Sequence, residues 1–229
     1  MVRYKNNSTD NLEVIKKGIR KTILEASFLA GACHIGSSLS CSDILVDLYF
    51  KRMKREDIFL FSKASGSCAL YAVLEKKGII PKNKVAYYLR KYPLASKEVP
   101  GVIHSVGSVG MGLSVAVGLA LSNRKRKVYC LISDGQLDEG ITYESALFAR
   151  QYRLDNLYVI CDNNGLQALG RTKDILDLKT AIDFYKKTFP NFENVKTIKG
   201  FPIPFMMGKT EWHYRNLDDK LLAEALKWI

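Results

Sequence analysis

The apolar and polar positions change period along the chain, and each change marks an element. Two short unbroken apolar runs, 128–132 (Val-Tyr-Cys-Leu-Ile) and 157–161 (Leu-Tyr-Val-Ile-Cys), read as buried strands because no polar residue interrupts them. Between them, 139–153 carries apolar residues at spacings of three and four (Tyr143, Ala146, Leu147, Ala149) and reads as a helix. A strand–helix–strand unit places its two strands parallel. Their polar ends, Ser133-Asp134-Gly135 and Asn163-Asn164-Gly165, are then expected at one carboxyl edge, where α/β sheets bind ligands.

The rest of the chain yields to the same reading. A polar arm is expected over 1–10, with Ser8, Thr9 or Asp10 capping a helix over 11–29. Its apolar stripe is Leu12, Val14, Ile15, Ile19, Ile23, Leu24 and Phe28, and Gly31 ends it. Residues 33–40 read as a polar turn leading into a helix over 42–50. A basic connector, a short strand over 58–61 and helices over 67–76 and 83–91 follow. In Gly107-Ser108-Val109-Gly110-Met111-Gly112 the glycines let the backbone pass close to a planar ligand. They open a helix over 111–122 whose first amides face an anion. A helix over 174–187 broken by Pro190 and a closing helix over 218–228 complete the chain. The expected architecture is one domain over 11–229, a three-layer α/β/α fold on a mainly parallel sheet.

Composition changes this picture little. The chain has 229 residues, enough for a substantial core, and no apolar run reaches the length of a membrane span. The first ten residues lack the apolar stretch of a secretion signal. Cysteines at 33, 41, 68, 130 and 161 show no metal spacing and read as reduced thiols, so a cytoplasmic location is expected. The net charge of +12 comes from scattered lysines and arginines without aromatic interleaving. That argues for a solvated surface, suited to anionic substrates or an acidic partner chain, rather than for nucleic acid.

The chemistry gathers at the two strand ends. Asp134 offers a carboxylate and Asn164 an amide oxygen, and Gly165 lets the Leu166 carbonyl turn inward. Three hard oxygens suit Mg²⁺ or Ca²⁺ and leave positions free for the oxygens of a diphosphate. Asp138 is expected to face away from them. The plainer alternative is a pair of strand-end loops capped by Asp and Asn.

Asp134-Gly135 followed, 30 residues after Asp134, by Asn164 resembles the diphosphate–metal motif of thiamine-diphosphate enzymes. The surrounding sequence resembles the N-terminal half of transketolase, over nearly the whole chain, and by that resemblance 195–200 is expected to be its final strand and 205–214 the continuation of that strand. The resemblance implies thiamine diphosphate and Mg²⁺ as cofactors, with Asp134, Asn164 and the Leu166 carbonyl as metal ligands. It puts Gly107, Ser108, Val109, Gly110 and Gly135 around the cofactor, Glu139 at a subunit interface, His34 facing the thiazolium ring and donor, and His213 near the diphosphate. It also implies catalytic roles for His34 and His213.

The departures are as informative. Cys33 replaces a glycine, and Ala64-Ser65 stand where the family has Gly-His. Ser65 can give one hydrogen bond but cannot carry a proton near neutral pH. A His-Pro pair is lost around Pro93-Leu94-Ala95, and His104 either fills the vacated space or is a loop residue. Ala168 replaces a larger apolar residue that packs on the thiazolium, and the chain is short near 51–57 and 186–194. The resemblance covers only the diphosphate-binding half, and the family's pyrimidine-binding half is expected on another chain. The resemblance therefore implies a second, pyrimidine-binding polypeptide, an α₂β₂ assembly, and transfer of a two-carbon ketol unit between a ketose and an aldose, on an atypical sugar. Two alternatives stay open: an acyloin-type condensation on a nucleotide-linked sugar, and a non-catalytic partner subunit.

Overall fold

The computed structural model describes residues 9–229. The arm expected over 1–10 lies outside the described residues, except that Thr9 and Asp10 already belong to the first helix. Four strands, β1 (Ile58–Phe61), β2 (Val128–Ser133), β3 (Leu157–Asn163) and β4 (Asn191–Lys196), form one parallel sheet in the order β1-β2-β3-β4. Ser133 pairs with Asp162, so β2 and β3 do end side by side.

Alternation along the strands sorts the core into two layers. Val128, Cys130 and Ile132 face α5 (Met111–Ser122), α6 (Gly140–Gln151) and α8 (Leu178–Thr188), packing on Leu113, Ala116, Ala146 and Tyr185. Tyr129 and Leu131 face the other layer, which holds α1 (Thr9–Ala30), α2 (Ile35–Asp47), α3 (Ser67–Lys76), α4 (Val85–Lys91) and α9 (Asp219–Leu226). Helices cover both faces, as expected. Among the described residues no helix is long and apolar enough to cross a membrane.

Four expectations fail, each for a physical reason. The turn expected over 33–40 is helix from Ile35 onward. Two of its four buried serines bond within the helix, Ser40 Oγ to the Ser37 carbonyl (3.0 Å) and Ser42 Oγ to the Leu39 carbonyl (2.8 Å), while Ser38 Oγ is buried with no partner among the described residues. The strand expected over 195–200 instead spans Asn191–Lys196, a half-buried edge strand whose polar residues mask it. The segment expected to continue that strand, 205–214, is a set of turns ending in a 3₁₀ turn, Thr210–His213. Gly200 at φ +85° turns the chain there, its Cα so close to the Met206 backbone that a Cβ would lie 2.6 Å from the carbonyl oxygen. The helix expected over 174–187 is divided into α7 (Thr172–Ile175) and α8, the second capped by Asp177 accepting from the Lys179 amide.

Candidate functional site

The carboxyl ends of β1, β2 and β3 open into one cavity of about 440 Å³. Its walls include His34, Ser65, Gly107, Ser108, Val109, Asp134, Gly135, Glu139, Asn164, Leu166, Ala168 and His213. These residues span 180 positions of sequence, from 34 to 213, and the fold brings them together. Gly110 stands apart from the lining. It takes φ +86° at the start of α5, and a Cβ there would meet Ile141 Cγ2 at 2.6 Å and Glu139 Cβ at 3.1 Å. His104 does not line the cavity, whereas Leu94, from the stretch that lost a histidine, does.

Side-chain bonds tie the strand ends to one another. Gln136 Nε2 donates to Ser62 Oγ (2.7 Å) and Gln136 Oε1 accepts from the Ser133 amide (2.9 Å), linking β1 to β2. Lys63, which lines the cavity though only 3% exposed, pairs with Asp162 (0%), and its Nζ also donates to Ser40 Oγ (3.1 Å). Ser40 and Thr197 hydroxyls donate to the same Asp162 carboxylate, and Asn164 Nδ2 reaches Ser40 Oγ at 3.3 Å. Asn164 is thus oriented by a buried, charge-balanced network.

The oxygen set at the strand ends is consistent with a cation. Asp134 (1% exposed) accepts from the Gly135 amide at 3.0 Å and the Gly165 amide at 2.6 Å. Burial raises its carboxyl above the ordinary range, opposed by the charge of Lys63. A dication would reverse that penalty. Asn164 Oδ1 accepts from the Leu166 amide (3.0 Å), while the Leu166 carbonyl accepts no hydrogen bond from the described residues. Among the described residues no three His, Cys, Asp or Glu side chains form a cluster, so one carboxylate, one amide and one carbonyl are the oxygens available here.

The two histidines meet at the opposite wall. His34 caps α2 in the left-handed region (φ 66°), and its amide donates to the His213 carbonyl at 2.9 Å. The two rings stand edge to face, 4.8 Å apart. Burial lowers the pKa of His34, with the charge of Lys199 adding to the effect. His213 is lowered further, to about 3, by burial, then Lys199 and His34. Lys199 Nζ lies 2.9 Å from His213 Nδ1 and donates to the Gln167 carbonyl at 3.0 Å.

Residues 15–187 match the family described as transketolase, thiamine diphosphate binding domain. This chain belongs to the transketolase family. It is 37% identical to one of the subunits of the apulose-4-phosphate transketolase of Actinobacillus succinogenes, over 92% of each chain. It is 35% identical to a 6-deoxy-6-sulfo-D-fructose transketolase subunit of a Clostridium species, over 73% of this chain and 68% of that one. Against the solved transketolase of Leishmania mexicana the TM-score is 0.84 at 20% identity, covering 93% of this chain and 40% of that one, which establishes the three-layer thiamine-diphosphate-binding fold. The chain spans about 44% of the length of human transketolase, to which it is 30% identical.

Several residues of this transketolase chain matter to the site yet give little or no sign in the sequence. Lys63 is marked only by the resemblance of Ser62-Lys63 to the family's motif, which does not announce its pairing with Asp162. Asp162 and Lys199 carry no periodic or spacing signal, because their partners are distant along the chain. Gln167 is equally silent. Its side chain packs where a Cβ on Gly135 would lie (3.2 Å) and donates to Asp138 at 2.7 Å. Asp138, expected to face away, therefore holds the loop that carries Leu166 and Ala168.

Proposed function

We propose that this chain is the diphosphate-binding subunit of a split transketolase. In this reading it binds thiamine diphosphate through Mg²⁺, pairs in an α₂β₂ assembly with a separate pyrimidine-binding subunit, and transfers a two-carbon ketol unit from a ketose to an aldose. The observation that carries the reading is the convergence of Asp134 and Asn164-Gly165-Leu166 on the cavity that His34 and His213 also line. When bound, the cofactor supplies the carbon nucleophile of ketol transfer.

The chain's own residues would do the rest. Asp134, Asn164 Oδ1 and the Leu166 carbonyl give a hard cation three oxygens and leave room for diphosphate oxygens. Gly107 and Gly135 let the backbone approach the cofactor, and Gly110 lets α5 begin against Glu139. Ser108, Val109 and Ala168 form walls, while His34 and His213 meet the donor. Ser65 stands where the family has a proton-carrying histidine, so one hydroxyl replaces an imidazole. Five free cysteines, Cys33 half-buried and the others buried, suit the reducing cytoplasm in which we place the enzyme.

The altered wall supports an atypical sugar, as do the substrates for which the relatives are named, apulose 4-phosphate and 6-deoxy-6-sulfo-D-fructose. A buried donor hydroxyl left without a partner costs roughly 1–3 kcal/mol. Two such losses lower kcat/KM for the usual donor by about two to four orders of magnitude. The test is a panel of ketose phosphates, substituted ketoses, pyruvate and nucleotide-linked ketosugars, assayed with the partner subunit present. The expected best donor is a substituted or less hydroxylated ketose. Xylulose 5-phosphate as the best donor at an ordinary enzymatic rate would refute the atypical-sugar claim. Activity on pyruvate or a nucleotide-linked sugar would favour the condensation alternative, and no turnover with any donor would favour a non-catalytic subunit.

A further inference from the structure

Lys199 has an unusual position for a lysine. It is 1% exposed, does not line the cavity, and among the described residues has no carboxylate partner. Its Nζ has two neighbours, the Gln167 carbonyl at 3.0 Å and His213 Nδ1 at 2.9 Å. Burying an ammonium without a paired carboxylate is costly, even with the charges of Asp134 and Asp162 acting on it from farther off, so its placement calls for a use. An ammonium has three hydrogens to give and no lone pair. The nitrogen it meets on His213 must then be the acceptor.

We propose that Lys199 is a positioning residue that fixes the tautomer of His213, holding the imidazole hydrogen on Nε2 so that the ring serves the cavity as a hydrogen-bond donor. The inference rests on the reading of this cavity as the cofactor and donor-sugar site. The surroundings hold the ring in place. The His213 carbonyl accepts from the His34 amide, and the His34 ring packs edge-on at 4.8 Å. The lysine stem is fixed as well, since a Cβ on Gly36 would lie 3.2 Å from Lys199 Cγ. Burial lowers Lys199 to about 8, with Lys63 adding to the effect, so it remains an ammonium at neutral pH. His213, lowered to about 3, remains neutral there.

The chemical consequence is a division of labour. His213 has its Nδ1 lone pair committed and can offer only an N–H, which suits a phosphate, carbonyl or hydroxyl oxygen. It does not take a proton from substrate. The His34 ring nitrogens bond to none of the described residues, so His34 is the imidazole free to accept one.

Long-range ¹H–¹⁵N spectra of the ¹⁵N-labelled chain test this directly, because the chain has only 3 histidines and His34→Gln and His104→Gln variants assign them. The wild-type chain at pH about 7 should show His213 as the neutral Nε2–H tautomer. K199R should preserve that pattern, and K199M should move it toward a mixture of tautomers. A wild-type Nδ1–H form or an imidazolium would overturn the proposal, as would an unchanged pattern in folded K199M. Should K199M not fold, the wild-type and K199R spectra decide, since both must then show Nε2–H. With the partner subunit present, K199M should lower kcat roughly 10- to 100-fold with little change in KM, the loss of one hydrogen bond to a charged group. K199R should recover most of it, and wild-type turnover by K199M would also overturn the proposal. A complex without ketol transfer whose spectra are as expected would remove the functional reading and leave the tautomer assignment standing.

Discussion

Replacing Lys63 by Met removes the paired cation from a carboxylate that has no solvent exposure. Asp162 would keep its hydrogen bonds from Ser40 (2.6 Å) and Thr197 but lose the ammonium that balances its charge. Removing one partner of a buried pair costs about 3–5 kcal/mol, and two surviving hydroxyl donors place this case near the lower end, about 3 kcal/mol. For a chain of this size about 1 kcal/mol shifts Tm by about 2–4 °C, so Lys63→Met should lower Tm by roughly 6–12 °C. The K63M/D162N double variant should be less damaging than Lys63→Met alone, since it leaves no orphaned charge. Urea and thermal melts of the four proteins complete the cycle. A Lys63→Met cost below about 1 kcal/mol, or a double variant as costly as the sum of the singles, would refute the reasoning. The pH dependence has a definite sign. Burial pulls the Lys63 amine down most, but the charge of Asp162, the hydrogen bond to it and the nearby Cys41 and Asp134 together outweigh burial, so its folded pKa is raised. The stabilisation is therefore fully present below the unfolded value of about 10.4 and is lost as pH rises through the higher folded value. The gap between wild type and K63M should stay constant through neutral pH and narrow only in alkaline solution.

Other substitutions probe the site more directly. Asp134→Ala removes the one carboxylate of the proposed metal site and should cost several kcal/mol of Mg²⁺-dependent cofactor binding by calorimetry. Asp138→Ala frees Gln167 alone and should cost no more than about 1 kcal/mol, so equal losses would misplace the metal. Gly110→Ala forces a side chain into φ +86° against Ile141 and Glu139 and should destabilise by about 2 kcal/mol or more in a thermal melt. Gly118→Ala, in the same helix with nothing within 4 Å, should instead stabilise by about 0.5–1 kcal/mol, and the reverse order would contradict the packing described for α5.

What is legible in the sequence follows from where each signal is stored. β2 and β3 can be read to within two residues because both are unbroken apolar runs, and their shared polar edge follows from strand–helix–strand geometry. β4 lies several residues earlier than the family resemblance suggests, because an edge strand written Asn-Phe-Glu-Asn-Val-Lys is half-solvated and gives no apolar run to place it. The early start of α2 is hidden because its four serines read as a polar turn although the fold buries all of them. The cavity lining is legible through motifs at each strand end. The ion pair behind it is not: Lys63 and Asp162 are 99 positions apart, and only the folded sheet makes them neighbours. Lys199 and His213 lie 14 apart in a segment expected to be extended, so their contact depends on turns that the pattern does not announce.

The central claim is that Asp134, Asn164 and Leu166 hold the cofactor's diphosphate through a metal, in a half-site completed by another chain. Titration calorimetry of thiamine diphosphate into the wild-type chain, with Mg²⁺ or with a chelator, and with or without the pyrimidine-binding subunit, tests it most directly. Weak, Mg²⁺-dependent binding to the chain alone, a large affinity gain with the partner and no ketol transfer without it are the expected results. Tight binding that ignores the metal, or appreciable turnover by the chain alone, would contradict the claim.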